Sequence, residues 1–272
     1  MSGDGLVVAG NSRIGSGRIR AIRWTSTEGM LDLGTLPDGL DSYANGISVD
    51  GAVIVGMTVY SSSTEAFRWT ASTGMVGLGF LPDGIDSWAT DANADGSVIV
   101  GLARNSDGRL VATKWTASDG MVTLGTLAGD TGSYAGAVSA DGQIVVGDST
   151  LPGGPHAFLW TNTTGMVDLN TYLPTLGIDL TGWTLRSASG ISPNGLHITG
   201  QGIHNGRDEA WIATVTPPCA PDLNGDAVVN SQDFFAYLGF FFGGLPQADF
   251  NHDGSTTSQD FFDFLAAFFT GC

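Results

Sequence analysis

The chain has 272 residues, 42% hydrophobic and only 14% charged, with 41 glycines. That makes two domains, or one with an appendage, rich in short strands and tight turns. A net charge of −17, from 10 Lys+Arg against 27 Asp+Glu, repels phosphate backbones and anionic lipid surfaces. It excludes nucleic acid and points to cations as partners. Membrane insertion is excluded as well, because no apolar run approaches the roughly 20 residues a spanning helix needs.

From the N-terminus onward, one pattern recurs. Trp24, Trp69, Trp115 and Trp160 each precede Thr, at spacings of 45, 46 and 45 residues, and Gly29-Met30, Gly74-Met75, Gly120-Met121 and Gly165-Met166 keep the period. Asp4-Gly5, Asp50-Gly51, Asp95-Gly96, Asp141-Gly142 and Asn194-Gly195 form a second series. Each is followed by a short apolar run ending in glycine, such as 52–56 and 97–101. One period reads as four strands. In the second unit they are 42–48, 52–56, 65–69 and 75–79, with an Asp-Gly hairpin turn after the first and Leu81-Pro82-Asp83-Gly84 as a break after the last. No helical period is present. Four short antiparallel strands per 45-residue unit predict a blade of a β-propeller, with about five blades present and the repeated Trp packing blade on blade. The extra sequence around 172–183 is expected to form a loop on one face.

Ala66-Phe67-Arg68-Trp69-Thr70, Gly74-Met75-Val76-Gly77-Leu78-Gly79 and Ala94-Asp95-Gly96-Ser97-Val98-Ile99-Val100-Gly101 resemble the HAF family of bacterial extracellular repeats, over roughly residues 1–215. The resemblance implies a secreted, propeller-like protein and supplies no catalytic residues. The array starts in mid-unit and ends without its Trp-Thr strand. The first blade therefore lacks an opening strand and the last a closing one. Strands could close a five-bladed ring across the termini. An N-terminally truncated chain, lacking its signal peptide, is the favoured expectation.

The predicted domains are 1–216 and 217–272. Beyond Pro217-Pro218 the composition changes: 11 of the 14 phenylalanines lie there, with seven aspartates and no Lys, Arg or Glu. Two twelve-residue stretches, 222–233 and 249–260, carry oxygen-bearing side chains at positions 1, 3, 5, 9 and 12. Calcium takes six to eight oxygen ligands, and a loop of this kind wraps them around the ion. Two Ca²⁺ sites are expected. The first would use Asp222, Asn224, Asp226, the Val228 carbonyl, Asn230 and Asp233. The second would use Asp249, Asn251, Asp253, the Ser255 carbonyl, Thr257 and Asp260. Ala227 stands where the second loop has Gly254, which predicts a weaker first site. Helices are expected at 231–241 and 258–269. Cys219 and Cys272 bracket the segment. They are either two free buried thiols or a disulfide that staples a small domain in an oxidising compartment. A bridge of that span would contribute about 4 kcal/mol.

Paired loop-helix units with Asp at position 12 are similar to type I dockerins, and the Cys219 opening with Gly271-Cys272 resembles their GC-type variant. The resemblance implies an extracellular protein partner, a cohesin or cohesin-like domain, met by Ser231-Gln232 and Ser258-Gln259. The identity of these two pairs permits binding in two orientations.

No catalytic constellation emerges. His156, His197, His204 and His252 sit in no nucleophile or zinc motif, and Asp38, Asp41, Asp83, Asp86 and Asp130 lie in the inter-strand loops, as turn residues do. The aromatic series Tyr43, Trp88 and Tyr134, each between Ser and Ala, is either blade packing or a platform that stacks on sugar rings. The reading is a secreted, non-catalytic, modular binding protein, with polysaccharide as a possible ligand. The alternative is a carbohydrate-active enzyme of glycoside hydrolase type, or an accessory to extracellular polysaccharide degradation. Non-repeating carboxylates converging in one cleft would favour the alternative.

Overall fold

The structure, a computed structural model, describes residues 1–151, 154–215, 221, 223, 229–250 and 255–270. The chain divides into two compact units, Met1–Val215 and Thr216–Cys272.

The first unit is β-propeller-like, five antiparallel sheets following one another along the chain. The first holds β1 (Val7–Arg13), β2 (Ile19–Thr25) and β3 (Gly29–Asp32). Three four-stranded sheets follow: β4 (Asp41–Ile47), β5 (Val53–Val59), β6 (Thr64–Thr70) and β7 (Gly74–Gly77); β8 (Ser87–Ala92), β9 (Val98–Arg104), β10 (Leu110–Thr116) and β11 (Gly120–Gly125); β12 (Gly132–Val138), β13 (Val145–Leu151), β14 (Gly154–Thr161) and β15 (Gly165–Asp168). The last holds β16 (Trp183–Ile191), β17 (His197–His204) and β18 (Arg207–Thr214). The terminal sheets are each one strand short. Among the described residues they show no packing on each other comparable to that between neighbours. The first strands β4, β8, β12 and β16 contact one another in succession and so form the inner wall.

Each inner strand bulges near its middle, at Ala44/Gly46, Ala89/Asp91, Ala135/Ala137 and Ala188/Gly190. The bulge needs room on the neighbouring strand. Gly56, Gly101, Gly147 and Gly200 provide it: a methyl on any of them would overlap the carbonyl oxygen of Tyr43, Trp88, Tyr134 or Ser187. In four of the five repeats the glycine that ends the apolar run is therefore a steric requirement of the bulge; Gly10, in the first sheet, faces none.

Three polar devices lock one sheet to the next. Ser42, Ser87 and Ser133 are buried. Each hydroxyl accepts the backbone N–H of the preceding sheet (Ala21, Ala66, Ala112 at 2.8–2.9 Å) and donates to a loop carbonyl (Gly34, Gly79, Gly125). Farther along the strand, Asn45 donates to the Ala89 carbonyl at 2.8 Å and Thr90 to that of Ala135 at 2.7 Å. The hairpin turns form a belt of backbone bonds, Asp50 to Ala94, Ala94 to Ala140 and Ala140 to Pro193. Apolar side chains fill each seam: Ile54, Phe67 and Trp69 behind the first sheet, Val53 and Ile99 in the second seam, Val100 and Phe158 in the third, Leu159, Ile198 and Trp211 in the last. Each fully buried large side chain contributes about 2 kcal/mol. Trp69 and Trp211 are buried and Trp115 and Trp160 partly so, whereas Trp24, with no sheet in front of it, is exposed.

One expectation is corrected. The region inserted after the fourth sheet is not a plain loop, because it opens with α1 (Leu169–Thr175). Asp168 caps this helix by accepting the Asn170 N–H at 2.8 Å. Leu169 and Leu173, four residues apart and fully buried, drive it into the fourth seam. Seven residues are too few for a helical period to stand out.

The second unit contains α2 (Ser231–Phe242), a 3₁₀ turn at Pro246–Ala248 and α3 (Ser258–Thr270). Tyr237 and Phe264 stack at 4.1 Å between the helices, and Phe250 meets both edge-on. The buried Tyr237 hydroxyl donates to the Ala248 carbonyl at 3.0 Å.

Two substitutions test the seams. Gly101→Ala should destabilise the propeller by about 3 kcal/mol, because the clash is with backbone. Ser87→Ala should cost about 2 kcal/mol by stranding a buried N–H and a carbonyl. Denaturant titration measures both.

Candidate functional site

The inner strands bring two of the three predicted aromatics together. Tyr43, Trp88 and Tyr134 occupy equivalent positions on β4, β8 and β12, each one residue past a clasping serine. Because the serine points back to the preceding sheet, the aromatic points forward. Trp88 and Tyr134 line one open cavity of about 620 Å³ with Asn45, Met57, Thr90, Leu102 and Gly136. Tyr43 is not among its lining residues; its cross-strand partner Met57 is. Tyr134 remains 38% exposed, so its ring is available to a ligand.

Two departures from the repeat shape this site. At the bulge, Asn45 and Thr90 are followed by Gly136. A methyl at Gly136 would lie 2.8 Å from the Ala188 carbonyl and 3.6 Å from the Tyr134 ring. The missing side chain opens the cavity beside Tyr134. On the second strand, Met57 and Leu102 oppose Tyr43 and Trp88, but Asp148 opposes Tyr134. A carboxylate thus occupies a position that is apolar in the two sheets before it.

Burial pushes the Asp148 carboxyl up to about 6. Asp91, also outside the repeat, is raised by burial too, offset by the backbone N–H of Val138, which it accepts at 3.1 Å. Burial, then the charges of Asp148 and Asp91, raise the Tyr134 phenol above its ordinary value, so both carboxylates lie within electrostatic reach of that hydroxyl. No Lys or Arg lines the cavity. The amino-acid pattern could have revealed Asp148, Asp91 and Gly136, since each breaks a column of the aligned repeats.

The loop aspartates are structural. Asp38 and Asp83 adopt left-handed turns, with φ of 63° and 60°. Asp41 and Asp86 accept the Ile19 and Thr64 N–H groups and pair with Arg18 and Arg104. Asp130 is buried, with both carboxylate oxygens lacking a hydrogen-bond partner. His156 pairs with Asp168, His197 with Thr214 and His204 with Glu209.

In the second unit, the position-12 aspartates share one arrangement. Asp233 accepts N–H groups from Leu223 at 2.9 Å and Asn230 at 3.0 Å; Asp260 accepts them from Phe250 at 3.0 Å and Thr257 at 2.7 Å. Both are fully buried. Asn230 also caps α2 through the Gln232 N–H, and the Thr257 hydroxyl accepts that of Gln259 at 3.2 Å. Ser231, Gln232, Ser258 and Gln259 are exposed in the first helical turns, Ser255 is exposed before α3, and Asp249 ends the 3₁₀ turn. Asp222, Asn224, Asp226, Val228, Asn251, Asp253, His252, Cys219 and Cys272 lie outside the described residues.

The sequence matches no protein-family model. No curated protein matches it either. The fold is similar to solved propellers. TolB from Acinetobacter baumannii is 18% identical, with a TM-score of 0.55 over 78% of this chain and 50% of that one. A protein assigned as TolB from Agrobacterium tumefaciens is 17% identical, at 0.50 over 79% and 73%. Oligogalacturonate lyase from Vibrio parahaemolyticus is 12% identical, at 0.51 over 80% and 65%. At such identities the likeness is one of fold. This chain spans half the length of the first of these proteins.

Asp148 predicts a pH dependence. Its folded-state value is raised, so its contribution to stability is intact below about pH 4 and is lost as pH rises through about 6. Asp148→Asn should therefore stabilise the propeller by about 1 kcal/mol at pH 7.5, after a discount for partial solvent screening, and by almost nothing at pH 4. Thermal denaturation at the two pH values checks the sign.

Proposed function

We propose that the chain is a secreted, non-catalytic, modular binding protein. In this reading the propeller holds a saccharide at the Trp88–Tyr134 cavity, and the C-terminal unit is a calcium-stabilised anchor. One observation carries the binding site: two aromatic rings from successive inner strands converge on a single open cavity with polar neighbours. Sugar rings present apolar faces and a hydroxyl rim, which suits aromatic side chains set among Asn and Thr.

The anchor reading rests on the donor set of the two loops and on the second unit's charge. It holds two fully buried carboxylates, Asp233 and Asp260, seven aspartates in all, and no Lys or Arg. A hard divalent cation takes oxygen ligands of the kind these loops offer. The paired backbone N–H groups orient each position-12 carboxylate for that task. The HAF-repeat assignment, the Cys219–Cys272 bridge and a cohesin-like partner at Ser231-Gln232 and Ser258-Gln259 belong to the same proposal.

A second reading, a glycoside hydrolase, is favoured by the two non-repeating carboxylates near Tyr134. It is the weaker one. Hydrolysis needs two carboxyl groups flanking the scissile bond, and Asp91 is tied to the Val138 N–H and lines a separate cleft with Asn93 and Val138.

Two measurements test these readings. Trp88→Ala should abolish retention on immobilised polysaccharide while lowering the melting temperature only slightly; a collapse of the melting temperature would assign the ring to packing. Calcium titration of the full chain by calorimetry should give two sites. Asp260→Asn should weaken one of them at least tenfold and expose the C-terminal unit to protease, and absence of calcium binding would overturn the anchor.

A further inference from the structure

The saccharide reading leaves Asp148 unused. In the second and third sheets the residue opposite the inner aromatic is Met57 or Leu102, and only the fourth sheet buries a charge there. Directly opposed residues of an antiparallel pair share one face, with Cβ atoms about 5 Å apart. The Asp148 carboxylate therefore stands beside the Tyr134 ring on the forward face. No hydrogen bond or ion pair of its side chain occurs among the described residues. Asp148 does not itself line the adjoining cavity; it stands beside Tyr134 at its edge, where Gly136 has left the wall open, and no basic residue lines it, while Arg104 lines a second cleft that Tyr134 shares.

An aromatic surface next to a half-buried, unpaired carboxylate is the chemistry that recognises an organic cation. The ring faces attract it through their quadrupoles, and the carboxylate pairs with it out of bulk water. A neutral saccharide would use the rings and leave Asp148 without a partner. A saccharide with free amines would use both.

We propose that the Trp88–Tyr134 cavity binds an oligosaccharide carrying protonated amino groups, with the two rings against sugar faces and the Asp148 carboxylate on an ammonium. This rests on the saccharide-binding reading and deepens it. Trp88 belongs to the third sheet and Asp148 to the fourth, so the ligand spans two neighbouring sheets.

The test is calorimetry on the full chain, in calcium and moderate salt, with three probes: a glucosamine hexamer, its fully N-acetylated counterpart, and hexalysine. The amine-bearing hexamer should bind at least tenfold more tightly than the acetylated one. Asp148→Asn should erase that difference while leaving the acetylated hexamer's affinity in place. Trp88→Ala should weaken both saccharides. Equal binding of the two hexamers by the unaltered protein would overturn the inference and leave the saccharide reading standing. So would a preference that survives Asp148→Asn, since general surface charge would then be its source. Hexalysine binding as tightly as the glucosamine hexamer, with the same dependence on Asp148, would overturn it in favour of a peptide cation. If neither hexamer binds, the saccharide reading falls as well. Near-UV circular dichroism of each variant confirms that its propeller is folded.

Discussion

The propeller depends on a contact between backbone and backbone. Each inner strand bulges so that the carbonyl of Tyr43, Trp88, Tyr134 or Ser187 lies over the Cα of a glycine on the next strand. Only a residue without Cβ allows that approach. The bulge sets the direction of everything on the inner wall. It sends Ser42, Ser87 and Ser133 back into the preceding seam and the neighbouring aromatic forward. It also places Asn45 and Thr90 where they reach the next sheet's carbonyls. With those clasps in place, the buried serines of the seams have their hydroxyls paired, and apolar packing fills the remainder.

A repeat built this way tolerates change at a few columns and at no others. The serine and glycine columns are constrained by geometry on both sides. The bulge column varies, with Asn45 and Thr90 bonding the next sheet's carbonyls and Gly136 bonding none, and so does the residue opposite the aromatic. Two departures from the repeat, Gly136 and Asp148, fall in these columns, and Asp91 lies one residue past the first of them, bonded to the Val138 N–H.

The second unit solves a different problem. It is short, rich in phenylalanine and without basic residues. Its aromatic stack around Tyr237 and Phe264 is a small core for a domain of this size. The two buried position-12 aspartates serve the backbone first, each closing a ten-residue span of loop onto the helix that follows. A carboxylate held that way is a helix-terminal acceptor, and in the proposed calcium site it would couple metal binding to folding.

Much of this was legible in the amino-acid order. The 45-residue period, the Asp-Gly hairpins and the apolar runs ending in glycine implied four-stranded antiparallel sheets, because strand alternation and turn chemistry are local properties. The two helices after the oxygen-bearing stretches were equally local. The short helix α1 was not legible, since burial of Leu169 and Leu173 in a seam, and not a helical period, holds it together. Nor was the site. Tyr43, Trp88 and Tyr134 look alike in the repeat, yet only two of them meet at the cavity. That difference arises where side chains from three sheets, Asn45 and Met57, Trp88 and Leu102, and Tyr134 beside Gly136, come together at one cavity. Local order therefore determined the elements and their repetition, and the tertiary structure alone decided which equivalent positions share a wall, because side chains on different sheets acquire a common environment only when the seams close.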